Sequence, residues 1–541
     1  MKSYTMKLAL LTLIIFNVGC EKLDLTPENT FTVETYWTST EKAQTFLNTA
    51  YSQMMTSSRF FFNEGLSDNA YNGRGDTEGA ASIGAGTYDS SLNRMQSEWD
   101  DRYAGIKTCN LLLENIDRVE DMDEELRDRM KAEARFIRAF QHFQLMTWFG
   151  DIPLLEQDIS LEDSQNISRS PRSEVLQFIL DELDYSISIL PTKEQYTADE
   201  RGKITRGAAI AMKARALLYE GRWQDVVTNC ERLINDNSNG SYGLFPSYSG
   251  LFLPQNEYNE ESVLALQYVP QVKTWGEFFD MAPLSAGARL NALAPTQELV
   301  DSYITLNGSE IDGSNSGYDE SDPYSNRDPR LTGTVVYHNY EWEEPDGGSH
   351  IIYIQPGSDP DEPLDEYASG SSKTTTGYYT RKYFDPTHLT AGFASGLDLM
   401  LIRYADVLLM YAEAKFELGE FDASIWETTI GALRRRAGFT DPAALNYNPS
   451  LSQDQMRQVI RNERRSELGM EGLRIFDIRR WRTAENVLNG YAHGAQFGPN
   501  TIDNGYLRVN LRTFDASKHY LWPIPRDERL INKSLTQNPG W

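Results

Sequence analysis

Cysteine and histidine are scarce: three and six in 541 residues. Three cysteines cannot staple a chain of this length, so a disulfide-framework scaffold is excluded. The histidines are scattered without metal-ligand spacing, and there is no HExxH, no phosphate loop and no GxSxG elbow. The glycines of GRGDTEG at 73–79 lack a flanking strand and helix, which excludes a dinucleotide fingerprint. No catalytic residue, metal or cofactor is therefore expected. Positive charge is also short: 51 Lys and Arg stand against 79 Asp and Glu, for a net charge of −28. Such a surface repels nucleic acid and anionic lipid, and no basic cluster offsets it. The apolar run Leu8–Phe16 falls well below the ~20 residues of a membrane-spanning helix.

What is present is apolar bulk. Hydrophobic residues make up 40% of the chain and aromatics 11%, enough for a large core in more than one lobe. At the start, Lys2 and Lys7 precede the run Leu8–Phe16, and Val18 and Gly19 lead to Cys20. This is the layout of a signal peptide over 1–19. A cysteine after Gly19 resembles the bacterial lipobox, with Asn17 where that motif usually has leucine. The resemblance implies lipidation of Cys20 and a polar tether over 20–38. Two or three acyl chains anchor stably, at about 0.8 kcal/mol per buried CH₂.

Helical periodicity begins after Thr40, with Ala43, Phe46, Leu47, Ala50, Tyr51 and Met54 at spacings of three and four. Residues 63–98 are Gly/Ser/Asn/Asp-rich without a period and read as a long loop. Trp99, Tyr103, Ile106, Asn110, Leu113 and Ile116 mark another helix face. A further helix spans Leu126–Phe149, stopped by Gly150 and Pro153, and one more opens at Ser170-Pro171. Residues 207–236 read as a helical hairpin broken at Gly221, and 403–438 repeat its grammar around Gly419. Both are similar to tetratricopeptide hairpins. Between them, 237–400 is loop-rich with short β-like runs. Cys109, in an apolar helical stretch, reads as a buried thiol; a bridge to Cys230 stays open. The acidic segment 312–322 lacks the spacing of a calcium loop and reads as solvated loop.

Several stretches carry a resemblance together: EARFIRAFQHFQLMTWFGDIPL at 133–154, NRDPRL at 326–331, TGYYTRKYF at 376–384, IRYADVLLMYAEA at 402–414, IRNERRSELGMEGLRIFDIRRW at 460–481, and the ending YLWPIPRDERLINKSLTQNPGW. In order and over the mature length, they resemble the SusD/RagB family of Bacteroidetes outer-membrane lipoproteins, with Trp541 where the family often has tyrosine. The resemblance implies a mainly α fold: tetratricopeptide-like helix pairs in a superhelical scaffold with a large loop-rich insertion carrying short strands. The expected division is 39–236 as an N-terminal helical half, 237–400 as the ligand-binding insertion and 401–541 as a C-terminal helical half. It also implies a non-enzyme on the outer face of the outer membrane, lying over a SusC-like TonB-dependent transporter and capturing a glycan ligand. Peptide capture is the alternative, and a surface glycoside hydrolase is another.

Glu463, Glu467 and Glu471, four apart and interleaved with Arg461, Arg464 and Arg474, are expected to pair as ions rather than to serve as a catalytic carboxylate pair. Arg327 and Arg330 are read as turn-locking donors, Tyr404 and Asp406 as ties between helices, and Trp99, Trp148 and Trp481 as core. Sugars bind to aromatic faces with polar groups at the edges. The loops offer Asp68, Asn69, Tyr71, Asn72 and Arg74, then Trp275, Tyr340 and Trp342, as the ligand-binding candidates. Each tryptophan is either an exposed platform or a satellite core beneath a long loop.

Overall fold

The computed structural model describes residues 36–344, 347–387, 392 and 394–541. Cys20, the segment 1–19 and most of the tether lie outside the described residues. Helix α1, Thr40–Ser52, starts at Ser39, whose hydroxyl accepts from the Lys42 amide, and buries Ala43, Leu47 and Ala50. Helix α2 is Asn93–Asn115. Helix α3, Glu124–Phe149, is capped by Asp123 and has Glu124 and Glu125 in its first turn, complementing the dipole. It ends at Gly150, which takes φ 76°. The α3 helix is buried on nearly all sides over its second half, as befits the centre of a stack.

Helix α4 is Arg172–Ile189, with Pro171 at its N-cap. Helices α5, Arg206–Tyr219, and α6, Trp223–Ile234, form the expected hairpin across Gly221 at φ 66°. Helix α7 is Tyr404–Glu417. Its partner is broken at Thr429 into Ala423–Thr428 and Ile430–Ala437, α8. Helix α9 is Gln453–Leu468 and α10 is Arg474–Arg480. Each helix packs on the next: α1 on α2, then in order through α7, and α7 on α9. The two hairpins, distant in sequence, thus join one stack where α6 meets α7. Small residues on α5, among them Ala208, Ala211 and Ala214, are fully buried and allow the close approach. No described helix is long and apolar enough to cross a membrane.

The strands are short and pair antiparallel in twos. They are β1 Ala70–Asn72, β2 Ser262–Leu266, β3 Leu293–Pro295, β4 Val335–Val336, β5 Tyr340–Glu343, β6 Ser349–Ile352, β7 Tyr379–Thr380, β8 Leu399–Arg403, β9 Gly490–His493 and β10 Arg508–Arg512. The pairs are β1–β3, β2–β8, β4–β7, β5–β6 and β9–β10. They clip the loop-rich segment to itself and to the helical stack rather than forming a layer.

The region 63–98 departs from the long-loop expectation. It holds a 3-10 turn at Asn63–Leu66, strand β1 and a helix at Ala80–Ala85, and every residue from Arg59 to Ala70 is buried. Its polar side chains can be buried because the C-terminal half satisfies them. Glu64 accepts from Asn69 and from the amides of Met470 and Gly472. Asp68 pairs with Arg465 at 3.0 Å and Arg474 at 2.8 Å.

A closed ionic network joins the middle segment to the C-terminal half. Glu463 meets Arg330 and Arg434; Glu467 meets Arg330, Arg403 and Arg436; Glu471 meets Arg403 and Lys382. Asp328 and Glu261 complete it. The glutamates do pair as ions, but with arginines brought from other elements rather than with Arg461, Arg464 and Arg474 beside them in sequence. Glu471 lies beyond the end of α9. Arg327 locks its turn by donating to the carbonyls of Tyr303, Val300 and Pro323. Asp406 ties α5 to α9 by accepting from Arg215 and Arg464. Cys109 and Cys230 are both free and buried, so no bridge joins them; burial pushes the Cys109 thiol up to about 12. Trp99 and Trp148 are core as expected, whereas Trp481 is half-buried between Arg461 and Arg480.

Candidate ligand-binding cleft

The sequence-chosen aromatic platforms are inside the protein. Trp342 is 0% exposed, packed edge-on against Phe384 with Arg381 over its ring. Trp275 is 4% exposed, donates its indole N–H to the Leu397 carbonyl at 2.7 Å and lies against Phe61 and Phe278. Tyr340 is buried with its hydroxyl on the Thr332 carbonyl. These three are core beneath the loops and offer no stacking face. Asp68, Asn69 and Asn72 are buried too. Arg74 is half-buried and committed to the carbonyls of Asn291 and Lys373. Tyr71, half-buried on β1, is opposite Ala294 of β3.

Beyond β3 the chain turns into the short helix Gln297–Ser302, whose N-cap Thr296 accepts from the Leu299 amide. The β9–β10 hairpin packs beside this helix. Buried Arg512, at the end of β10, donates to the carbonyls of Ser67 and Ala70 and so fastens the hairpin to the end of β1. Glu298 accepts from the His493 main-chain amide at 3.0 Å and faces its ring Nδ1 at 2.8 Å. Between helix and hairpin lies an open cleft of about 360 Å³.

Its walls combine aromatic faces with a fixed polar fringe. Tyr491 is 43% exposed, and the Arg508 guanidinium sits 4.4 Å from its ring centre. Arg508 donates two bonds to Asp503, at 2.5 and 2.8 Å, which holds both groups in place. These bonds and one from His493 keep the Asp503 carboxyl well below its usual range. His493 is raised by Glu298, against some burial, and further by Asp503. Gln297 bridges inward, donating to Asp301 at 2.7 Å and accepting from the Tyr378 hydroxyl at 2.5 Å. Tyr378 leads to Tyr324, which stacks on Tyr337 at 4.1 Å and 15°. Tyr506 closes the other side; burial and then Asp301 push its phenol up to about 12, so it stays a neutral donor.

Flat rings flanked by carboxylate, guanidinium, amide and phenol groups match the C–H faces and hydroxyl edges of a saccharide. The structure brings Tyr71 to the edge of this neighbourhood, since Arg512 of the hairpin donates to the carbonyl of the preceding Ala70, and leaves the tryptophans out. Tyr491 and Tyr506 were not among the sequence candidates because their segment, 489–506, lies in the half that the shared motifs marked as scaffold. Its composition, NGYAHGAQFGPNTIDNGY, is the same aromatic, Gly and Asn mixture that singled out the earlier loops.

A family model described as the SusD family matches residues 261–541. A second, described as starch-binding associating with outer membrane, matches 23–218. SusD-like protein P2 of Formosa agariphila is 27% identical, with all of both chains covered. A SusD-like protein of Bacteroides ovatus is 26% identical over 72% of this chain and 65% of its own. Among solved structures, a SusD-like carbohydrate binding protein from Bacteroides fragilis superposes with a TM-score of 0.82 at 27% identity, covering 93% of this chain and all of the other. A laminarin binding SusD-like protein superposes at 0.66 and 23% identity, covering 93% of this chain and all of its own.

Proposed function

The chain belongs to the SusD family, and on that premise we propose that it captures glycans at the outer-membrane surface and delivers them to a SusC-like TonB-dependent transporter. The observation that carries this reading is the cleft between the Gln297–Ser302 helix and the β9–β10 hairpin, with exposed Tyr491 framed by the Arg508–Asp503 pair. Its polar groups hold one another in position, so little side-chain entropy is lost when a sugar docks. Binding without bond cleavage is the activity. Cys20 supplies the lipid anchor, and the acidic body stands off anionic lipid at the end of the tether.

Calorimetry with laminarin, named for one solved neighbour, and starch oligosaccharides, named in a matching family description, together with uronate-containing and sulfated ones, tests the cleft. Tyr491→Ala should weaken the best of them by about tenfold, the loss of one stacking contact of roughly 1–1.5 kcal/mol. Unchanged affinity in both Tyr491→Ala and Tyr506→Ala places the ligand elsewhere. New reducing ends on incubation would sink the binding-only reading. Cys20→Ala should release the protein from the membrane fraction; continued sedimentation with membranes would mean another anchor.

A further inference from the structure

A larger cavity, about 640 Å³, opens in the helical half between the C-terminal end of α3, the start of α4, α10 and the chain's tail. Its chemistry differs from that of the tyrosine cleft. Five arginines line it: Arg169, Arg172, Arg479, Arg480 and Arg482. Two are neutralised, Arg172 by Glu220 and Arg480 by Glu413 and Asp477. The other three have no carboxylate partner among the described residues. Arg169 is held by the carbonyls of Phe149, Asp151 and Thr536 and by the Asn538 amide oxygen at 2.5 Å. Arg482 lies over the Tyr520 ring at 4.1 Å. Arg479, 8% exposed, lies 4.8 Å from the Trp148 ring centre and donates to the Tyr520 carbonyl, while its Nη1 finds no hydrogen-bond partner. The one acid in the lining is Asp151, whose Oδ1 accepts from the Arg172 amide.

Three guanidiniums without an ion pair around one cavity, of which Arg169 feels a nearby carboxylate, that of Asp151, are costly in a chain of net charge −28, which has acids to spare for pairing them. Aromatic faces and carbonyls hold these groups in fixed positions without neutralising them, as an anion site requires. Asn538 donates to the carbonyls of Phe149 and Trp522, so the tail that closes the cavity is itself fastened to the core. Burial first, and then Arg172 and Arg482 nearby, lowers Arg479 to about 10 despite Tyr88.

We propose that this cavity is a second ligand site, selective for an oxyanion, with Arg169, Arg479 and Arg482 as its donors. The planar forks suit sulfate, phosphate or carboxylate, borne either by a free anion or by an anionic sugar. The test is isothermal titration of the folded chain with sodium sulfate and with sodium phosphate at constant ionic strength, chloride replacing the anion in the control. Galactose 6-sulfate and glucuronate, each against its neutral parent sugar, form the second arm. Saturable binding of an oxyanion but not of chloride is expected. Arg479→Gln should weaken it at least about tenfold, the loss of one charge-assisted bond. Exposed Arg482→Gln, which leaves the core packing intact, should weaken it by about threefold or more as one outer cation is lost. Lys107→Gln removes a positive charge that is outside the cavity lining and already faces Asp158, and should leave it unchanged. Tighter binding of the acidic sugars than of the free anions assigns the site to a saccharide; the reverse assigns it to the free anion. No binding above the chloride control, or equal binding by wild type, Arg479→Gln and Arg482→Gln, overturns the proposal.

Discussion

Replacing Glu467 with glutamine tests whether the ionic network fastens the loop-rich segment to the helical stack. The network holds five cations, Arg330, Lys382, Arg403, Arg434 and Arg436, and five anions, Glu261, Asp328, Glu463, Glu467 and Glu471, all under 8% exposed at the side chain. It is therefore neutral as a whole. Glu467 accepts from Arg330 at 2.8 Å and Arg403 at 2.6 Å, and also from Arg436. Glutamine keeps the shape but leaves the buried cluster with one unmatched positive charge. Breaking a buried pair from one side costs about 3–5 kcal/mol, set against a typical total of about 5–15 kcal/mol. Urea denaturation followed by circular dichroism should show a clear fall in the midpoint. Because Arg436 loses one of its two carboxylate partners in the same step and keeps only Glu261, Arg436→Gln combined with Glu467→Gln should cost less than the sum of the single changes. The pH dependence has a fixed sign. Burial raises the Glu467 carboxyl, but Arg436, Arg403 and Arg330 outweigh it and hold the group well below its usual range. The stabilisation is thus full above the unfolded value of about 4.3 and is lost as pH falls towards the folded one. The gap between wild type and Glu467→Gln should narrow in acid. A midpoint within error of wild type at pH 7, or a gap that widens as pH falls, refutes the reasoning.

Trp342→Ala should destabilise the fold by about 3–5 kcal/mol, as expected for emptying a core tryptophan site. Once folded, it should bind ligand as the wild type does; a binding loss without a stability loss would return Trp342 to the site. His493 should titrate above 6.5 by NMR, since Glu298 and Asp503 favour its charged form. Its ion pairs then add stability that is full below about 6.5 and lost as pH rises through the folded value. A His493 resonance titrating below 6.5 would mean those contacts do not form in solution.

Helices were legible wherever burial follows a local period. The faces of α1, α2 and α3 and the break at Gly221 could be read directly, because a helix shows its buried side through spacing alone. The 63–98 segment was not legible as buried structure. Its Glu64 and Asp68 look like solvated loop residues until Met470, Gly472, Arg465 and Arg474 arrive from some 400 positions away. The glutamates at 463, 467 and 471 gave the right chemistry with the wrong partners for the same reason. The site was least legible: whether a loop aromatic is a platform or core depends on what folds over it, and Trp342, on strand β5, is fully covered, with Phe384 and Arg381 against its ring.

The amino-acid order by itself determined the helical grammar, the family resemblance, the acidic charge, and the exclusion of metal spacing and disulfide scaffolding, since all of these are local or additive. Only the tertiary structure decided which polar groups are buried and paired. It alone put Trp275 and Trp342 in the core and left Tyr491 and Tyr506 lining an open cleft, and it gathered three arginines without an ion pair around one cavity. Burial and charge pairing are properties of contacts between distant segments, and no spacing along the chain records them.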